Sequence, residues 1–174
     1  MKRLARCSIV LLVVAVAALA ASTAFAAPSP DALYSDARAA YDQKDYGKAA
    51  ATYGKAAAAF SKAKKPEMAA RAAYNQGVCL FLAGSDPEKA SKVFLLAAYQ
   101  YVTAKNLNGE VSSRMQAAEA FFRAGKIDES AQQCNLVLVK AKGKPMFEGQ
   151  AEEGLGRIEI KRGNNQAAIS HFET

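Results

Sequence analysis

From residue 31 onward, small and bulky apolar residues return every three or four positions, the period of one face of an α-helix. The clearest stretch reads Ala37-x3-Tyr41-x3-Asp45-Tyr46-x2-Ala49-x3-Tyr53-x2-Ala56. Leu33, Ala37, Ala40 and Tyr41 share a face of a first helix, for which Asp31 is the expected cap. Lys44-Asp45 breaks the run, and Tyr46, Ala49, Ala50, Tyr53 and Ala56 line a second helix that ends near Lys62. So tight a turn makes the two helices antiparallel, and the alanines let their axes approach closely.

The same order of small, bulky and aromatic positions recurs three more times. In the second unit Ala73, Gly77, Leu80 and Phe81 precede Gly84, and Ala90, Phe94 and Ala97 take the places of Ala49, Tyr53 and Ala56. Between them Ser85-Asp86-Pro87-Glu88 is a helix start, with a cap, a proline in the first turn and early negative charge. In the third, Met115, Ala118, Phe121 and Phe122 precede Gly125, then Ile127, Ser130, Cys134 and Val137 follow. In the fourth, Leu155, Gly156, Glu159 and Ile160 precede Gly163, then Ala168 and Phe172. The turn positions Lys44, Gly84, Gly125 and Gly163 are 40, 41 and 38 residues apart. Ala63-Lys64, Ala104-Lys105 and Ala141-Lys142 echo one another between units. A period carried by helices and loops alike predicts an array of stacked units, all-α, with no strand.

This pattern resembles the tetratricopeptide repeat, in a long-helix variant of about 40 residues per unit rather than the common 34. The likeness implies a right-handed α-solenoid of about four antiparallel helix-turn-helix hairpins, over roughly 31–64, 67–105, 108–142 and 145–174. The sequence departs from the family pattern in lacking tryptophan, in Lys44 at a turn glycine, and in Ser130 and Cys134 where a small and an aromatic residue belong. One hairpin cannot bury its apolar stripe alone, so stability is shared along the stack. The last helix breaks off at Thr174 with Ile169 and Phe172 on its apolar face, so either it caps the stack poorly or another chain covers it.

Residues 1–26 stand apart. Lys2, Arg3 and Arg6, the apolar run from Ile9 to Ala21, and Ala24-Phe25-Ala26 before Ala27-Pro28 are the three zones of a cleaved secretory signal. The apolar run is short for a membrane span of roughly 20 residues, and Cys7 precedes it, so neither a stable membrane anchor nor a lipid anchor is expected. After a lead-in at 27–30, one repeat domain fills 31–174, and the expected location is exported, periplasmic or otherwise extracytoplasmic. Without the leader the net charge falls from +7 to +4, too thin a surplus for the clustered basic face of a nucleic-acid binder. Cys79 and Cys134 remain, each on an apolar stripe of its own helix. Buried thiols are the expectation, with a disulfide between them left open.

No catalytic constellation emerges: no Cys/His pairing near in sequence, no phosphate-binding glycine loop after a strand, no ligand spacing for a metal, and no cofactor motif. Glu152 and Glu153 are adjacent on a helix and point about 100° apart, so they read as a solvated surface. His171 reads as a polar residue on a frayed terminal helix.

The resemblance also implies that the first helices line a concave groove for a protein or peptide partner. Position by position that groove presents Tyr34, Arg38 and Tyr41, then Arg71, Tyr74, Asn75, Val78 and Phe81, then Met115, Glu119, Phe122 and Arg123, then Arg157 and Lys161. Tyr41, Phe81 and Phe122 are expected to serve packing between helices. Of the lysines, asparagines and arginine with which some family members clamp a carboxylate, only Asn75 is matched. The expected function is therefore a non-catalytic scaffold. The alternatives are a self-assembly module that dimerises or oligomerises through the last repeat, and a ligand-binding protein or enzyme with a pocket between helices.

Overall fold

The computed structural model describes residues 27–84 and 86–173, so the leader read at 1–26 lies outside the described residues. Every regular element among the described residues is an α-helix: α1 (Pro30–Asp42), α2 (Tyr46–Lys62), α3 (Pro66–Leu82), α4 (Pro87–Thr103), α5 (Leu107–Arg123), α6 (Ile127–Lys140), α7 (Pro145–Arg162) and α8 (Asn165–Phe172). Each packs against its neighbours in the chain, and the result is a helical repeat solenoid of four hairpins. No helix among the described residues is long and apolar enough to cross a membrane.

Local chemistry sets the helix starts. Asp45, Asp86 and Asn106 each accept a hydrogen bond from the amide three residues on, at 3.0, 2.8 and 2.8 Å. Each such cap is worth about 1 kcal/mol. The expected cap of α1 is corrected: Ser29 Oγ, not Asp31, accepts from Ala32 N at 3.1 Å, and Pro30 rather than Ala32 opens the helix. Proline at the first position needs no amide partner, which lets the helix start two residues earlier.

The helix stops share one geometry. Lys44, Gly84, Gly125 and Gly163 turn within hairpins, and Lys64, Lys105 and Gly143 turn between them, all with positive φ. At five of these the next amide reaches back five residues, as Asp45 N to Ala40 O at 3.0 Å and Lys65 N to Phe60 O at 3.0 Å, the closure of a left-handed helix cap. Lys44 thus performs the turn that glycine performs in the other three hairpins. The third inter-unit echo, Ala141-Lys142, fails in detail. There α6 is 14 residues long against 17 in α2 to α5, and Gly143 takes the left-handed position.

Alanines and a few large side chains fill the core. Phe60, Phe94, Val111, Val137 and Ile158 are fully buried between helices, each ring or branched chain worth about 1.5–3 kcal/mol. The small positions admit the large ones: a Cβ on Gly77 would stand 2.7 Å from the Phe94 ring, and one on Gly156 would stand 2.5 Å from the Phe172 ring. The two cysteines are free and buried in different clusters, Cys79 with α1 and α2 residues and Cys134 with Val111, Val137 and Leu155. Burial pushes both thiols up to about 11.

Candidate functional site

The odd-numbered helices form a row. Besides packing on their chain neighbours, α3 touches α5 and α5 touches α7. The candidate groove residues all lie on this row, and the structure gathers most of them into two clefts at junctions between hairpins.

The first cleft, about 450 Å³, lies between hairpins one and two and is lined by Tyr34, Arg38, Tyr41, Asp42, Tyr53, Tyr74, Asn75 and Val78. Its polar groups are partly paired: Asn75 Nδ2 donates to Tyr34 Oη at 2.8 Å, tying α3 to α1. The Tyr34 ring stands edge-on to Tyr53 at 5.3 Å, and the Tyr74 ring edge-on to Phe94 at 5.5 Å. Burial, reinforced by Tyr34 and Cys79, pushes the Tyr53 phenol up to about 12, against the opposing pull of Arg38 and Asn75. Tyr53 therefore stays a neutral wall of the cleft. Arg38 and Arg71 are exposed, Arg71 one turn before Tyr74 and outside the cleft lining.

Further along the row a charged ladder joins α5 to α7. Glu119 accepts from Arg123 Nε at 2.8 Å and from Arg157 Nη1 at 2.8 Å, one carboxylate oxygen to each. The guanidiniums in turn cover rings, Arg123 over Phe81 at 4.2 Å and Arg157 over Phe122 at 5.0 Å. Burial pushes the Glu119 carboxyl up, but the two arginine hydrogen bonds and their charges outweigh it, and the net shift is downward. Arg157 and Glu119 also edge the second cleft, about 230 Å³, shared with Met115, Gln116, Ala118, Phe122, Ser130, Cys134, Gln150, Glu153 and Gly154. Lys161 is exposed one turn beyond Arg157 and lies outside both linings.

Of the three rings expected to pack, Phe81 and Phe122 do so, each against the core beneath it and with an arginine over its ring. Tyr41 instead meets Tyr46 at 5.6 Å and stays the most open of the three. Sequence reasoning missed Asp42, Tyr53, Gln150 and Gly154 as cleft residues. The signal for one pair was available, since Gln150, Gly154 and Arg157 recur at helical spacing on α7. Two further expectations are corrected. Glu152 and Glu153 do part company, but Glu152 is half-buried, 2.6 Å through Oε2 from His171 Nδ1, and only Glu153 is a solvated residue. His171 is accordingly no idle terminal residue; it ties α8 to α7. Among the described residues no group of three or more His, Cys, Asp and Glu side chains could hold a metal ion.

Residues 37–101, spanning most of hairpins one and two, match the family model of the tetratricopeptide repeat. Repeats of that family generally mediate protein–protein interaction and are typically not catalytic. No curated protein matches the chain.

Proposed function

We propose that this chain, similar to the tetratricopeptide repeat over its first two hairpins, is a non-catalytic scaffold that holds a protein or peptide partner against its odd-numbered helices. We place it outside the cytoplasm, in the periplasm or a comparable compartment, on the leader pattern of residues 1–26. The observation that carries the binding assignment is the run of two half-open clefts along one row of helices, walled by aromatic rings and edged by Arg38 and Arg157. Rings and arginines are the side chains that dominate binding energy at interfaces. The row is also cross-tied, by Asn75 to Tyr34 and by Glu119 to Arg157, so little ordering remains to oppose binding.

The test is photocrosslinking in the cell from a reactive residue at Arg71, which is exposed on α3, with a matched residue at Lys55, exposed on α2. Tyr74 is a poorer site because it is half-buried against Phe94. A discrete partner captured from Arg71 and not from Lys55 supports the proposal. Equal capture from both sites, or none from Arg71, refutes it. A second reading, self-association through the last hairpin, draws on Ile160, Ile169 and Phe172, which are 55%, 46% and 50% exposed. Concentration-dependent association that Ile169→Asp abolishes would move the assignment to that reading.

A further inference from the structure

The thin surplus of positive charge is not spread along the repeats. Residues 44–65 carry six lysines and one acid, a net +5, so the rest of 27–174 sums to −1. Lys48, Lys55 and Lys62 recur every seven residues on α2, which keeps them within about 40° of one another around the helix. They lie opposite buried Tyr53, Ala56 and Phe60, in a stripe about 21 Å long. Lys44 stands at the turn before the helix, and Lys64 and Lys65 at the turn after it. All six are exposed, and among the described residues none of them forms an ion pair. The nearest acids in sequence are engaged elsewhere: Asp42 lines the first cleft, Asp45 caps α2, and Glu67 accepts from Asn106 Nδ2 at 3.0 Å.

The next hairpin supplies an apolar border. One repeat on, 41 residues after Lys55 and Ala58, α4 exposes Leu96 and Tyr99, by 46% and 70%. Both line a cleft of about 470 Å³ together with Lys64 and Pro66. Gln100 Nε2 donates to Ser61 Oγ at 3.0 Å, which joins α4 to the end of α2 beside that cleft. Between its lysines α2 exposes only Gly47, Ala51, Ala58 and Ser61. Over the lysines the face has no arginine fork and no bulky side chain with which to grip one particular residue. Uniform negative charge suits such a face better than a particular sequence does.

We infer that the back of α2 and α4 docks reversibly on an anionic lipid surface, with Lys48, Lys55 and Lys62 on the headgroup phosphates and Leu96 and Tyr99 at the edge of the acyl layer. The inference stands apart from the scaffold reading, which uses the odd-numbered helices, and leaves that row to the partner. Lysine ammoniums meet phosphates as point charges, and clusters of about four to eight basic residues hold proteins to anionic bilayers. An exposed tyrosine settles at headgroup level. Adhesion is by charge and a shallow apolar edge, with nothing crossing the bilayer.

The experiment is cosedimentation of the purified protein with vesicles of phosphatidylcholine alone, or of equal parts phosphatidylcholine and phosphatidylglycerol. Wild type should bind the anionic vesicles and not the neutral ones. Binding should fade between about 10 and about 150 mM salt, as the screening length falls from about 30 to about 8 Å. Lys55→Gln together with Lys62→Gln should weaken it about thirtyfold, the effect of two lysines near a charged bilayer. Lys142→Gln together with Lys144→Gln removes the same charge from exposed positions between hairpins three and four, and should weaken it less than about threefold. Tyr99→Ser should weaken it severalfold at low and high salt alike, and circular dichroism should show every variant fully helical. Equal binding to neutral vesicles, or equal loss in the two lysine pairs, overturns the inference. So does a protein that ignores both vesicles; if it then binds polyglutamate or duplex DNA through the same lysines, the face is a site for an acidic protein or a nucleic acid instead.

Discussion

Replacing Gly77 by alanine separates packing from helix propensity, because the two effects have opposite signs there. Gly77 sits inside α3, where alanine is favoured by about 0.8–1.0 kcal/mol in an open helix. The new Cβ would meet two Phe94 ring atoms at 2.7 Å and a third at 3.0 Å. Phe94 is fully buried, in a cluster with Ala90, Ala117, Ala120 and Phe121, so the ring cannot swing aside without displacing α5. Overpacking of this kind costs about 1–3 kcal/mol, so against the propensity gain the net expectation is a loss of about 0–2 kcal/mol. The control is Gly149→Ala in α7, where a Cβ meets nothing within 4 Å and the full propensity gain of about 1 kcal/mol should appear. Urea unfolding followed by circular dichroism reads both, and melting should move about 2–4 °C per kcal/mol for a chain of this size. If Gly77→Ala stabilises as much as Gly149→Ala, the small-to-aromatic fit is not what joins these helices.

Other consequences follow from the same structure. Glu119→Gln should lose about 1 kcal/mol at pH 7, the scale of a partly exposed charge network. Because the folded Glu119 carboxyl titrates below its ordinary value of 4.5, its contribution is complete above that pH and fades as pH falls through the folded value. The difference from wild type should therefore shrink below pH 4.5, and a constant gap down to pH 3 would contradict the ladder. Cys79 and Cys134, pushed up to about 11, should resist an aromatic disulfide reagent at pH 8 in the folded protein and both react promptly in denaturant; fast labelling without denaturant would show that the clusters open. Ile169→Asp should leave sedimentation at all concentrations monomeric if wild type self-associates through the last hairpin, and unchanged association in that variant would exclude this face.

The eight helices among the described residues, their turns and their apolar stripes could be read from the sequence because each is a local matter. Asp45 reaches an amide three residues away, Lys44 and Gly84 turn the chain where they stand, and Ala49, Tyr53 and Ala56 share a face whatever lies opposite. The cap expected at Asp31 and found at Ser29 was a contest between two good caps two residues apart, decided by where proline could sit. The candidate site was legible only as a row of positions. That Asn75 bonds Tyr34, that Glu119 joins Arg123 to Arg157, and that His171 meets Glu152 depends on how far one hairpin slides along the next. Turn length and the depth of each ring in its small-residue seat set that slide, and neither is written in a periodicity. Cys134 makes the point most sharply. The sequence by itself determined that an aromatic place in the third hairpin holds a cysteine. Only the tertiary structure decided what meets that thiol: α7 closes on it at Gly154, where even a Cβ would lie 2.8 Å from Cys134 Sγ.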